Sequence, residues 1–519
     1  MKSTTNPGIF LLTVLLIAVL SPSAYAKLTL KSSSTLVSVE ESTGNIVDVA
    51  IKSGQTEAGK FVVILRDGNL LSLGNASAYT ITSQGIVRNA QNEEAIVTVF
   101  NIKEGVSLRR EIVLGAISHS LRISYEVTNL SSGILDVQTS GIARLTFGIG
   151  FEGIEDLKGG YGSSVFAYRE PFISDYKNPT MVGRLALSQL PITEPVGWFG
   201  WVNRYYVIAV RSRDERTSSR VNLGLIEPDD RVDNGGIVPE QITMYPDTSR
   251  LLQPGESWEF AFEVVAAPKN RQLLSTIEPR LDGIVLMNLW NWFRWVCNVI
   301  GQLITGIFAL TGNWGLTIIL AALVVRTITI PVTRISLQYQ EKAIAQQKRI
   351  KPLLRSVKEK YSGLDLSQQI VNLYEKEEFD QLLPFKSMLG LFIQIPIFIA
   401  LFNILAEVPE LSGASFLWIE DLAVSDRLFP LGVNLPFFGG YFNLLPFIMA
   451  FVTVLSTYQA SKDPTKSELQ FGALFGMAGI FFILFYTFPA ALVLYWTASN
   501  FFQLLQQLVE NRSRVVKSN

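Results

Sequence analysis

One arginine, Arg326, stands in the middle of the apolar run ILAALVVRTITIPVT, residues 319–333. The chemistry open to it is electrostatic: a guanidinium is always charged in proteins and presents several N–H donors to carboxylates and other acceptors. At the centre of a membrane helix it costs roughly 2.5–3.5 kcal/mol on insertion scales. Something must offset that cost. A carboxylate of the same chain would have to come from outside the apolar segments, because the five described below contain no Asp or Glu. Snorkelling towards the nearer face is a second explanation. The third, which we favour, is a water-filled pocket among helices, open to one side. Gln394, Asn403, Thr487, Tyr495, Ser499, Asn500 and Gln503 lie in other apolar segments and could share it. For any one of them, interhelical hydrogen bonding is the better explanation.

Other chemistries have little support. One cysteine, Cys297, and one histidine, His119, cannot build a Cys/His metal site or a disulfide framework within one chain. No G-x-x-x-x-G-K-[ST] phosphate loop occurs, and no metal or cofactor is expected. A formal charge of -1 without clustered basic motifs argues against a nucleic-acid partner. The tryptophans at 290, 292 and 295 fit interface anchors better than a ligand cage.

The elements that position these residues follow from texture. A mean hydropathy of +0.28 with 17% charged residues is too oily for a soluble protein of 519 residues. Residues 1–26 carry Lys2, an apolar run and Ala24-Tyr25-Ala26, the pattern of a signal peptide or of a retained first helix. Residues 27–282 alternate in short runs, as in SLRISYEVTNLSSG from Ser120, which predicts a large exported β-sandwich. Residues 283–310, rich in Trp and Phe, suit an amphipathic helix in the membrane interface.

A core over 311–509 then has five spans at about 316–335, 386–406, 441–459, 470–488 and 490–508. The last two must form a tight hairpin, since residues 471–508 as one helix would run about 57 Å against a hydrocarbon core of about 30 Å. Residues 336–380 read as a helical hairpin turning near Ser362-Gly363, with Pro352 starting or kinking its first arm. Between Arg334 and Lys386 there are ten Lys/Arg against seven Asp/Glu, whereas residues 407–440 hold one basic residue, Arg427, against five acids. The first loop and the tail, 510–519, are therefore expected in the cytoplasm and the second loop outside.

GNWGLTIILAALVVRTITIPVT, FIQIPIFIALFNIL, FLWIEDL and PAALVLYWTASNFFQLLQQ occur in this order around the charged hairpin. In these motifs the chain resembles the YidC/Oxa family of membrane protein insertases. The exported segment resembles the periplasmic domain of its Gram-negative members, a β-supersandwich related to carbohydrate-binding folds. The resemblance implies a non-enzymatic, ATP-independent insertase and chaperone of the bacterial inner membrane. Its substrates would be nascent membrane proteins, with the Sec translocon and the ribosome as partners. It implies a hydrophilic groove lined by Arg326, Gln394, Tyr495, Trp496 and Asn500, closed on the outside. Three departures stand out: Ala322 replaces a usually polar residue one turn before the arginine, Trp496 replaces a tyrosine, and QLLPFKSM, residues 381–388, replaces the usual approach to the third span. A secondary transporter is the first alternative, although no repeated halves or intramembrane acid support it. An envelope glycan-binding protein with a carboxylate pair in the sandwich is the second.

Overall fold

The computed structural model describes residues 26–52, 61–65, 70–73, 79–102, 105–115, 117–137, 145–147, 169–175, 182–184, 196–213, 221–225, 242–246, 250–279, 281–287, 289–461 and 468–518. The expected leader or first helix lies outside these residues, apart from Ala26. Two compact units divide the chain: Met1–Gly153 with Glu170–Val285, and Ile154–Arg169 with Leu286–Asn519.

The first unit is built from sheets because its sequence alternates. In Ser120–Asn129, Leu121, Ile123, Tyr125 and Val127 are buried while Arg122, Ser124 and Glu126 are half-buried on the other face. This strand lies inside a nine-stranded sheet. The order is Val182–Arg184, Arg169–Asp175, Val196–Asn203, Tyr206–Ser212, Ser257–Pro268, Ser120–Asn129, Val106–Leu114, Glu94–Ile102 and Tyr79–Arg88. A four-stranded antiparallel sheet of Lys27–Lys31, Thr35–Glu40, Ile46–Lys52 and Phe61–Leu65 accompanies it. The core includes Tyr125 stacked on Phe260 at 5.2 Å and the buried cation Arg110, whose guanidinium lies 5.4 Å from the Phe100 ring centroid. Arg110 donates to the carbonyl of Gly44. Gly44 has φ +68°, and a Cβ there would lie 2.9 Å from the Phe100 ring, so both conformation and space demand glycine. The short helix α1, Arg271–Ile277, capped by Asn270, follows the last strand.

The second unit is helical. Its elements are α2 (Asn291–Thr311), α3 (Trp314–Lys360), α4 (Gly363–Lys376), α5 (Leu383–Ser387), α6 (Leu389–Glu407), α7 (Leu445–Ser461), α8 (Glu468–Phe485) and α9 (Ala490–Ser518). Among the described residues, α2 and α3 are long and apolar enough to cross a membrane, and Phe392–Ala406 and Leu445–Ser456 are shorter apolar segments. On α2 the buried residues Phe293, Cys297, Ile300 and Ile304 recur at helical spacing, while Trp290, Trp292 and Trp295 are exposed.

Two boundaries differ from those the sequence suggests. α3 does not stop near 335 before a separate hairpin arm: it runs unbroken for 47 residues through Pro331 and Pro352. Both prolines lie on the exposed surface of the helix. α9 likewise continues to Ser518 instead of giving way to a tail near 509.

Residues 408–444, between α6 and α7, bind helix starts. Asp426, 4% exposed, accepts from Leu445 N at 2.8 Å, capping α7, and from Trp418 Nε1 at 3.2 Å. The carbonyls of Val424 and Leu422 accept from Ala490 N (2.6 Å) and Ala491 N (3.0 Å) at the start of α9. Phe416 packs on Gly315 in the first turn of α3, where a Cβ would lie 2.0 Å from its ring.

Burial raises the Asp426 carboxyl above its ordinary range, against the lowering effect of the Leu445 and Trp418 hydrogen bonds. The folded chain therefore holds this proton more tightly than the unfolded chain does. Its contribution is most favourable below the ordinary carboxylate pKa of about 4 and is lost as pH rises through the higher folded value. Asp426→Asn keeps an acceptor without the charge. Thermal melts of the purified chain should show the variant gaining on the parent between pH 4 and pH 7, whereas Asp426→Leu should lose roughly 1 kcal/mol through the missing cap.

Candidate functional site

α3 begins with a built start. Asn313 Oδ1 accepts from Leu316 N at 3.1 Å, and Thr317 Oγ1 donates to Asn313 O at 2.8 Å. From there Ile318, Ala321, Ala322, Val325 and Thr329 form one buried stripe. Ala322 is fully buried at a contact surface, where a small side chain allows close helix approach. Arg326 follows Val325 and sits at the margin of this stripe, half-buried. Thr329 and Thr333 turn their hydroxyls back onto the carbonyls of Val325 (3.0 Å) and Thr329 (2.9 Å). These hydroxyls are satisfied within the helix.

α9 packs against α3, and its Tyr495, 2% exposed, lies within electrostatic reach of Arg326. The two packed helices thus carry a buried hydroxyl and a fixed cation from residues 169 positions apart in sequence. Trp496, the next residue, points elsewhere. Its indole meets Phe398 of α6 at 5.1 Å and Phe481 and Phe485 of α8 at 5.3 and 5.5 Å. It belongs to an aromatic cluster. Asn500, one turn further, donates from Nδ2 to Thr453 Oγ1 of α7 at 2.8 Å. Gln394 is half-buried on α6, one turn before Phe398. Asn403 bonds back to the carbonyl of Ile399 on its own helix at 2.7 Å.

Thr453 escaped the sequence reading because a single threonine in an apolar helix carries no signal of its own; only its partner Asn500 makes it legible. The Ser336 joint was equally hidden. Its Oγ donates to Ser387 O at 2.8 Å and accepts from Gly390 N at 3.1 Å, tying α3 to the turn between α5 and α6. Nearby, Arg349 pairs with Glu377 (3.4 Å) and Lys386 with Asp380 (2.9 Å), fastening α3 and α4 to the approach of α6.

In the sheet unit, a polar hollow of about 580 Å³ is lined by Asn89, Arg109, Glu111, Arg122 and Glu259. Arg109 pairs with Glu111 at 2.9 Å and Arg122 with Glu93 at 2.8 Å. Glu111 is thus engaged by an arginine of its own strand.

The Asn500–Thr453 bond joins α7 and α9 through a residue expected at the site. A double-mutant cycle of Asn500→Ala and Thr453→Val, read as thermal stability in a bilayer mimic, should give a coupling of about 0.6 kcal/mol, the average for such pairs between membrane helices. Zero coupling would show that the pair is bonded elsewhere in the folded protein.

Two family models match the chain: one described as the YidC periplasmic domain over residues 53–303, the other as the 60Kd inner membrane protein over residues 306–517. The membrane protein insertase YidC of Pseudoalteromonas atlantica is 26% identical over 448 residues, covering 84% of this chain and 73% of its own length. That of Pasteurella multocida is 27% identical over 451 residues, covering 85% and 74%. A crystal structure of an active YidC insertase with its first transmembrane domain resolved aligns over 96% of this chain and 97% of its own, at 16% identity and a TM-score of 0.36. With one model on the β-rich part and the other on the helical part, adjoining almost without a gap, the chain belongs to the YidC/Oxa family of membrane protein insertases.

Proposed function

We propose that this chain inserts proteins into the bacterial inner membrane and helps them fold there, through a hydrated groove centred on Arg326. The observation that carries the reading is the placement of Arg326 on α3, half-buried and within electrostatic reach of the buried Tyr495 of α9. A fixed cation at that depth needs polar surroundings, and a groove holding water supplies them.

In this reading α3 and α6 to α9 are the five core helices, with the β-rich domain in the periplasm and the C-terminus in the cytoplasm. The short polar segment of a client enters the groove from the cytoplasm. Its apolar helix moves past α6 and α8 into lipid, and burial of that helix drives the process, at roughly 25 cal/mol per Å² of apolar surface. Arg326 attracts acidic residues of the translocating segment. The membrane potential, positive outside, then draws those acids outward with about 2.3 kcal/mol per charge per 100 mV. No nucleotide is required. Tyr495 and Asn500 shape the wall against α3 and α7, Gln394 adds a polar group from α6, and Trp496 holds α9 to α6 and α8. The basic surplus of residues 334–386 supports contact with the ribosome, and the chain would act alone or beside the Sec translocon.

Proteoliposomes carrying the purified chain should insert a client with an acidic N-terminal tail. Arg326→Ala should lower that insertion roughly tenfold, the factor equivalent to about 1.4 kcal/mol, while Arg326→Lys keeps most of it. A matched client with an uncharged tail should be insensitive to both changes. Equal loss for both clients would mean that the arginine supports structure rather than attraction of acids.

A further inference from the structure

The segment just before α7 is apolar, exposed and shaped. Phe429–Leu435 pairs antiparallel with Gly439–Phe442 in a two-stranded hairpin. Along the first strand, odd positions carry Phe429, Leu431, Val433 and Leu435, and even positions carry Pro430, Gly432 and Asn434. Phe429, Val433 and Leu435 are 48%, 61% and 44% exposed, and Phe437 at the turn is 70% exposed. The pairing register shifts between Pro430 and Leu435, where Gly432 has φ +72°, so alternation holds only locally: beyond the shift Val433 and Leu435 share one side of the ribbon and Asn434 turns to the other. Phe437 adds a second observation. Its φ is +67°, the third position of a turn closed by Phe438 N donating to Leu435 O at 3.2 Å after Pro436, where glycine is the comfortable residue. An aromatic ring held there at a conformational cost, and largely exposed, implies that its exposure has a use.

We infer that this hairpin is an interfacial anchor whose apolar face lies in the acyl–headgroup boundary of the outer leaflet of the bilayer. Three features select lipid over protein as the occupant. The face is continuous with α7: Phe429 stacks on Phe442 at 4.9 Å, Phe442 stacks on Phe447 at 5.2 Å, and Phe447 and Phe451 are exposed on the helix itself. Two residues separate Phe442 from the start of α7, so the hairpin is held at the level where that helix begins. Residues 427–444 contain no Asp or Glu, and their one charge, Arg427, lies 5.1 Å from the Tyr441 ring centroid at the base of the hairpin. An apolar face free of acids, with a cation beside an aromatic ring at its base, matches a headgroup layer over hydrocarbon. The inference rests on the reading of α7 as a membrane helix.

The test uses the full chain with Cys297→Ala, in nanodiscs of phosphatidylethanolamine and phosphatidylglycerol. Single cysteines replace Val433, Phe437, Asn434 or Phe451 and carry an NBD fluorophore. Lipids with a doxyl quencher high on the acyl chain should remove about half of the emission at 433 and 437, because such faces sit roughly 5–10 Å into the boundary, and much less at 434. Since all these positions are exposed, labelling should leave the fold intact. Phe451 separates the two readings. No quenching at 451 would sink the membrane placement of α7 itself. Quenching at 451 with none at 433 and 437 would overturn the anchor alone, as would a blue-shifted but unquenched label there, which would mean that a protein partner or a second copy covers the face.

Discussion

The first four N–H groups of every helix lack a partner within the helix, and in hydrocarbon each unmet group costs several kcal/mol. In this chain one segment answers that demand for several helices at once. Residues 408–444 supply the carboxylate of Asp426 to α7 and the carbonyls of Leu422 and Val424 to α9, and they press Phe416 onto Gly315 at the start of α3. The same loop makes an inner lattice: Asn443 accepts from Arg427 N at 3.0 Å and donates to Tyr486 O at 2.7 Å, beside the turn between α8 and α9. The starts of α7 and α9 are capped by this loop, while α3, capped by its own Asn313, is tied to it by ring packing. The packed pair of α3 and α9, which carries Arg326 and Tyr495, is consequently fixed at one end.

At the other end the constraint is of a different kind. α3 is about 70 Å long at 1.5 Å per residue, more than twice the thickness of a hydrocarbon core, so a large part of it extends beyond lipid. There the contacts are polar and exposed: Arg349 with Glu377, and Lys386 with Asp380. Surface pairs of this sort contribute at most about 1 kcal/mol each. One end of the bundle is held by buried hydrogen bonds and close ring packing, the other by screened ion pairs, the Ser336 joint and bonds from Gln346 and Arg349 to the carbonyls of Asp380 and Glu377. A client entering from the weakly held side meets the lower resistance, which is the direction the proposed function requires.

Much of this was legible in the sequence for identifiable reasons. Alternation in SLRISYEVTN marks a strand because a two-residue period has few competitors, and the nine-stranded sheet contains it. The tight turn near 487–489 followed from length alone, and α8 and α9 are separated there by four residues. Arg326 was conspicuous as a charge in an apolar run. The continuity of α3 was not legible, because proline is a strong local stop signal and its tolerance depends on which way the helix surface faces. Strand order was also hidden: the Ser257–Pro268 strand inserts between partners more than a hundred residues earlier and about fifty residues earlier, a pairing no local pattern announces.

The candidate site divides along the same line. Residue types that could line a polar groove can be picked from apolar segments, but which way each points is a matter of helix phase. Tyr495 and Trp496 are neighbours in sequence and differ by about 100° around α9, enough to send one towards Arg326 and the other into the rings of Phe398, Phe481 and Phe485. A substitution of tyrosine by tryptophan at 496 therefore changes the aromatic cluster, where the lost hydroxyl would have faced carbon. At Ala322 the argument reverses. A polar residue there would sit on the buried stripe of α3, four residues before Arg326, and its absence lets the stripe pack closely while leaving the polar demand of the guanidinium to the α9 side. In the proposed function, the polarity of the groove would then come chiefly from the α3–α9 contact.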